Sequence, residues 1–432
     1  MLTGFAGAIL LGTVLLSLPF ATETGQSAGF VTALFTSTSA VCVTGLIVES
    51  TPDYFSTFGE VVILGLIQVG GLGIMTMASL LGLLVARRFG LRMQLTAQAE
   101  TKSLGLGEVR QVVAGVLKIS VAFEIVVAII FTVRLITGDG ESFGKAAYFG
   151  VFHAISAFNN AGFSLYANSL EDFVSDPWIS ITVAIAVICG GIGFPVLFEL
   201  ARRARKPRAW TLHTKITLLT TGALLVVGFV FITAAEWSNP DTMGPLGVGD
   251  KLLSGFFMAV MPRTAGFNSL VVGDMNPATL LLTDVLMFIG GGSAGTAGGI
   301  KVTTFALLAF VIAAEVRGEP SVHVMGRKLS ASVQRQALTI ALIGVGVVMT
   351  ATIALLAITD HTMDRVLFEV VSAFGTVGLS AGITGELGSA GEVIITLLMF
   401  IGRLGPITAA TALALRDRPR RYELPESRPI VG

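Results

Sequence analysis

Apolar residues run along this chain in stretches far longer than a soluble helix buries. Runs able to cross roughly 30 Å of hydrocarbon at 1.5 Å per residue lie near 3–20, 58–86, 112–136, 177–201, 214–236, 277–316, 336–359 and 391–415. They predict eight membrane helices. Between alternate pairs lie half-apolar segments near 29–43, 145–159, 251–262 and 364–375, each too short to span and each followed by glycine. These read as re-entrant. The first run, Phe5 to Phe20, has the length of a signal peptide's apolar core but lacks a basic leader, and similar runs recur to the end. A retained span is expected there.

The short segments share one register. Phe35, Phe152, Phe256 and Phe368 each stand ten residues before Gly45, Gly162, Gly266 and Gly378. Six before the same glycines stand Ser39, Ser156, Val260 and Ser372, and the glycines are 117, 104 and 112 residues apart. One unit of helix, pore helix, glycine turn and helix is used four times. The expected divisions are 1–95, 96–205, 206–325 and 326–432. The fold class is therefore an all-α polytopic membrane protein with four pseudo-symmetric repeats around a central pore.

Composition agrees, with 53% hydrophobic and 13% charged residues in 432, about half the charge of an average soluble domain. Lys+Arg and Asp+Glu balance at 28 each, so nothing points to nucleic acid or a polyanion. Two cysteines, Cys42 and Cys189, exclude a disulfide framework and a multi-cysteine metal site. Of the 28 Lys+Arg, 20 fall within Arg87–Arg110, Arg202–Lys215, Arg317–Arg335 and Arg416–Arg428, which sets those faces and both termini in the cytoplasm. The opposite face carries mainly carboxylates, among them Glu49, Asp139, Glu171, Asp274 and Glu386. Two readings of them stay open, a vestibule that concentrates cations and plain solvated loop surface.

The four turns read Val43-Thr44-Gly45-Leu46, Asn160-Ala161-Gly162-Phe163, Thr264-Ala265-Gly266-Phe267 and Thr376-Val377-Gly378-Leu379. A backbone whose carbonyls all face one axis must visit dihedrals that cost a residue with a side chain about 1 kcal/mol or more, and glycine avoids that cost. Four such turns meeting on an axis would form a carbonyl cage that replaces the hydration shell of a monovalent cation. The bland alternative is four turns that merely pack helices.

The sixth long run is interrupted by Gly290-Gly291-Gly292-Ser293-Ala294-Gly295-Thr296-Ala297-Gly298-Gly299, a stretch that cannot stay helical without outside support. Counted from Pro277, residue 290 lies roughly 20 Å deep, below the level expected for the cage. Arg403 is the most anomalous side chain, since a charge inside a span costs at least about 2.5 to 3.5 kcal/mol. Facing the axis it would bond freed carbonyls of the break and repel cations; otherwise it snorkels or pairs structurally. Two motif matches are rejected. Gly290 to Gly295 fits a dinucleotide pattern without a strand before it, and Gly378 to Gly382 fits a hydrolase elbow without a triad. A membrane-embedded enzyme would need clustered His, Asp or Glu in its spans, and a secondary transporter would need inverted repeats; the four parallel repeats favour a pore.

Thr-Gly-Leu at 44–46, Asn-Asn-Ala-Gly-Phe-Ser at 159–164, Pro-Arg-Thr-Ala-Gly-Phe-Asn at 262–268 and Gly-Thr-Val-Gly-Leu-Ser at 375–380 together resemble the Trk/Ktr/HKT superfamily of potassium transporters. The resemblance spans first helix to last. The chain begins directly with the first repeat, which favours the Ktr branch over the TrkH branch. It implies potassium passage along backbone carbonyls of 43–45, 160–162, 264–266 and 376–378, with residues 290–299 and Arg403 as the gate. Glycine at all four positions implies potassium preference, while one glycine per loop implies looser sodium discrimination than in tetrameric channels. It further implies a homodimer seated on a cytosolic KtrA-type nucleotide-binding ring whose ATP or ADP state moves the gate, and often activation by sodium. The setting it implies is a prokaryotic plasma membrane. No nucleotide-binding domain fits inside this chain, so any ATP dependence would come from that partner. The basic inner loops fit such a ring or anionic membrane lipid equally well.

Overall fold

A computed structural model of the chain describes residues 2–94 and 106–415, with side chains described for 3–79 and 111–405. The expected division at 95/96, the side chains of Arg87–Arg110 and the tail carrying Arg416–Arg428 lie outside the described residues. Long and short helices follow one another four times. First come α1 (Leu2–Leu16), the pore helix α2 (Phe30–Val41), a single turn α3 (Thr51–Tyr54) and α4 (Thr57–Gln94). Next are α5 (Leu106–Gly138), the pore helix α6 (Phe143–Phe158), α7 (Pro177–Gly191) and α8 (Phe194–Arg203). Then follow α9 (Leu212–Glu236), the pore helix α10 (Val248–Val260), α11 (Pro277–Phe288) and α12 (Val302–Val316). The last group is α13 (Ala331–Leu356), the pore helix α14 (Met363–Gly375) and α15 (Gly388–Leu415). The strands β1 (His323–Val324) and β2 (Arg327–Lys328) form a hairpin between α12 and α13, turned by Met325 and Gly326 at φ 49° and 79°.

The molecule is apolar on the outside. Leu117, Val121, Ile125, Ile129 and Val133 on α5 and Leu338, Leu342, Met349 and Ile353 on α13 are exposed, whereas Ser37, Ser39, Thr44, Asn159 and Thr264 are fully buried. That inversion suits hydrocarbon and would aggregate in water. Among the described residues, five helices, in α4, α5, α9, α13 and α15, are long and apolar enough to cross a membrane alone. This is a multi-pass membrane protein.

Two spans depart from plain helices. The stretch expected as one helix over 177–201 breaks between Gly191 and Phe194 and bends by 103° into α8. Gly193, at φ 100°, makes the corner, a conformation open to glycine. The stretch over 277–316 stops at Phe288 and resumes at Val302, a wider break than the glycine run. The groups close in a circle. The helix that follows each pore helix packs on the next pore helix, α4 on α6, α7 on α10, α11 on α14, and α15 back on α2. Glycines make the contact within a group close, because a Cβ on Gly70, Gly190 or Gly402 would strike the carbonyl of Val41, Phe158 or Phe374 at the end of its own group's pore helix.

Candidate functional site

The four turns predicted from the repeat meet at one centre. A Cβ built on Gly45 would meet the Ala161 carbonyl oxygen and the Gly162 Cα (3.0 Å). One on Gly162 would lie 2.8 Å from the Ala265 oxygen, one on Gly266 2.5 Å from the Val377 oxygen, and one on Gly378 against the Thr44 oxygen. Each turn therefore abuts the next, and the fourth returns to the first. Any side chain at these glycines would enter a neighbour's backbone. All four glycines have positive φ, between 72° and 97°. Two residues earlier stand Val43, Asn160, Thr264 and Thr376, also left-handed at φ 54°, 59°, 68° and 49°. Val43, Thr264 and Thr376 are strained positions there, at about 1–2 kcal/mol each, while asparagine tolerates that region. The repeat spacing located the glycines but carried no signal for these partners.

The turns hold their shape through their own pore helices. The Ser39 hydroxyl donates to the Leu46 carbonyl at 2.8 Å and accepts from the Gly45 amide at 3.0 Å. Ser156 donates to the Phe163 carbonyl at 2.7 Å, and Ser372 accepts from the Gly378 amide at 3.1 Å. Val260 holds this place in the third group and cannot bond. There the Ala265 amide bonds the Met261 carbonyl, four residues back, where Thr44, Ala161 and Val377 each bond five residues back. Phe257 is fully buried in place of Phe256. A single substitution at the sequence level thus marks a local shift in register. The hydroxyls of Thr44, Thr264 and Thr376 are buried and have no protein partner among the described residues.

Directly against this ring lies the glycine-rich break. A Cβ on Gly298 would strike the Thr376 hydroxyl and lie 2.7 Å from the Gly375 oxygen. With its amide nitrogen facing Thr296, Asn160 donates to that hydroxyl at 2.8 Å and to the Phe158 and Val187 carbonyls at 3.3 Å. The bend between α7 and α8 supplies a cradle. The Gly292 amide donates to the Gly191 carbonyl at 2.8 Å, the Thr296 amide to Gly190 at 3.1 Å, and the Phe194 amide to Ala294 at 3.1 Å. Gly290, Gly291, Gly295, Ala297 and Gly299 are buried in this arrangement, and Ser293 and Ala294 half-buried. The Ser293 hydroxyl lies 3.3 Å from that of Thr303.

Three cations hold the segment. Arg403, 2% exposed, donates to the Thr296 carbonyl, as the sequence reading required of an arginine facing the break. Lys301 turns back and donates to the Ala297 carbonyl at 2.5 Å. Arg263, which sequence reading passed over because it sits inside the third turn's motif, is 6% exposed and donates to the Gly290 carbonyl at 2.9 Å. Its other terminal nitrogen, and two nitrogens of Arg403, are buried with no partner among the described residues.

Other charged side chains find separate places. Arg134 pairs with Asp176 at 2.7 Å. Glu124 accepts from Gln68 at 3.1 Å and from Asn159 at 3.3 Å, and Glu199 accepts from Thr214 at 2.6 Å. Asp284 has one carboxylate oxygen without a partner among the described residues. In the loop between α6 and α7, burial pushes the Glu171 carboxyl up, opposed by the hydrogen bond from Asn268 at 2.7 Å.

A ring of four re-entrant turns set in a multi-pass helical membrane protein defines a transporter built around a shared centre. The chain belongs to the TrkH family, described as "Cation transport protein", whose profile matches residues 8–420. It is an ion transporter and not an enzyme. It is 41% identical over 415 residues to the "Ktr system potassium uptake protein B" of Bacillus subtilis, covering 96% of this chain and 92% of that one. To the protein of the same name from Vibrio alginolyticus it is 39% identical, with 100% and 94% covered. To the "Potassium/sodium uptake protein NtpJ" of Enterococcus hirae it is 34% identical, with 99% and 96% covered. The crystal structure of the potassium transporter TrkH from Vibrio parahaemolyticus shares the fold at a TM-score of 0.71 and 18% identity, covering 94% of this chain and 84% of that one.

Proposed function

We propose that this chain is the potassium-translocating subunit of a Ktr/Trk-type uptake system, passing ions down their electrochemical gradient through the ring of four turns. The carbonyls that flank Gly45, Gly162, Gly266 and Gly378 replace the hydration shell of a potassium ion, which is cargo and not a cofactor. The observation that carries this reading is the closed circle in which each glycine abuts the next turn's backbone. The segment 290–299 with Arg403 is the gate, supported by its place against the ring and by the cations that hold it. By analogy with the Ktr relatives, the assembly is a homodimer in a prokaryotic plasma membrane, with both termini cytoplasmic. A KtrA-type nucleotide-binding ring moves the gate through its ATP or ADP state, and sodium activates. The test is growth rescue of a potassium-uptake-deficient bacterium at low potassium. The native chain should restore growth, and Gly162→Ser or Gly266→Ser should abolish or de-select it; full rescue by both variants would overturn the reading. A second reading, a sodium-permeable or poorly selective monovalent cation transporter, draws support from the NtpJ relative named for both ions. Sodium influx equal to potassium influx through the native chain would favour it.

A further inference from the structure

Beyond the ring itself, the pore helices treat the outer ends of the four turns unequally. Nine residues before the glycines stand Thr36, His153, Phe257 and Glu369, and two residues after them stand Ile47, Ser164, Asn268 and Ser380. In the second and fourth groups these two places bond each other. Glu369, fully buried, accepts from the Ser380 hydroxyl and from the Ala381 amide at 3.0 Å, and its second oxygen accepts from the Thr384 hydroxyl at 2.9 Å. Among the described residues it forms no ion pair. His153, also fully buried, has Nδ1 2.8 Å from the Phe149 carbonyl, so that nitrogen carries the proton and Nε2 is left as acceptor. Toward Nε2 come the Ser164 hydroxyl at 3.1 Å and the Leu165 amide at 3.4 Å. The same two donors, a serine hydroxyl and the next amide, meet an acceptor on the pore helix in both groups.

The circle of glycine contacts runs through the groups in order, so the second and fourth face each other across it. The first and third lack the device. Asn268 instead reaches the neighbouring outer loop, where its side chain donates to Glu171 at 2.7 Å. The outer mouth is therefore twofold where the ring is fourfold, and its two acceptors differ, one neutral imidazole and one carboxylate.

We propose that His153 and Glu369 are positioning residues for the outer end of the ring, and that Glu369 is specificity-determining for the transported cation. It fixes the Ser380 side chain and the Ala381 backbone, two and three residues beyond Gly378, and adds an acceptor-only group there. A glutamine keeps one oxygen and sets its N–H2 against either the Thr384 hydroxyl or the Ser380 and Ala381 donors, so at least one accepted bond is lost and the loop loosens, letting the carbonyls close around a smaller ion. This inference rests on the ring being the selectivity filter, and its test separates the two. Full-length native chain, Glu369→Gln, Ser380→Ala, the double variant and Gly162→Ser are compared for rubidium and sodium tracer uptake in proteoliposomes, normalised to inserted protein. Glu369→Gln and Ser380→Ala should each lower the rubidium-to-sodium ratio at least about threefold and raise the KM for rubidium, and the double variant should be no worse than Glu369→Gln alone. A purely structural role would lower total uptake and leave the ratio unmoved. If Gly162→Ser shifts the ratio while Glu369→Gln and Ser380→Ala do not, this inference is overturned and the filter stands; if none shifts it, the filter reading falls. Should Glu369→Gln not reach the membrane, Ser380→Ala carries the same readout.

Discussion

The ring of turns and the segment between α11 and α12 touch each other but are held by opposite means. Three of the turns are braced by a serine of their own pore helix, Ser39, Ser156 or Ser372, the third by the bond of the Ala265 amide to the Met261 carbonyl, and each abuts the turn beside it. The glycine segment has few bonds of its own and depends on Arg263, Arg403, Asn160 and the α7–α8 corner, all from elsewhere in the chain. A self-braced ring keeps its spacing when its surroundings shift. A segment held largely by contacts from elsewhere in the chain can be released when those contacts are withdrawn, as the proposed gate requires.

The largest expected effect breaks the ring. Gly266→Ala puts a Cβ about 2.5 Å from the Val377 oxygen and adds left-handed strain, so potassium uptake should fall by at least tenfold, about 1.4 kcal/mol in barrier. Potassium uptake assays on inserted protein check this. Next comes the proposed gate. Arg403→Gln removes a charged hydrogen bond of about 1.5–3 kcal/mol, and potassium flux without activation should rise severalfold; unchanged flux would place Arg403 in a structural role. Arg263→Gln should move flux in the same direction and by less, since it holds the segment's first carbonyl only.

Smaller effects sharpen the contrast. Ser372→Ala should cost about 1 kcal/mol of stability, read as a lowered melting temperature, whereas Val260→Ser in the shifted third group should change it little. Far from both regions, Asp176→Ala loses the cap on Trp178 and Ile179 and the Arg134 pair. It should cost about 1–2 kcal/mol and leave ion selectivity unchanged.

The same contrast explains what could be read before the structure. The ring was legible because its braces are local and recur, so a ten-residue spacing and a serine at a fixed offset reveal it. Arg403 was legible because a charge within a span demands a partner. The corner at Gly193 was not expected, although Gly190-Gly191-Ile192-Gly193-Phe194-Pro195 carries the residues of a helix break, because hydropathy runs through it without a gap. Arg263 was missed since its partner lies 27 residues away and no spacing links them. Left-handed Val43, Asn160, Thr264 and Thr376 were invisible because three of the four are valine or threonine, which rarely adopt that conformation.

The sharpest measurement is anomalous diffraction from the protein crystallised with thallium in place of potassium. A peak is expected at the common centre of the carbonyls of Thr44, Ala161, Ala265 and Val377. Thallium bound elsewhere in the membrane region, with none inside that circle, would contradict a cation path built from the four turns.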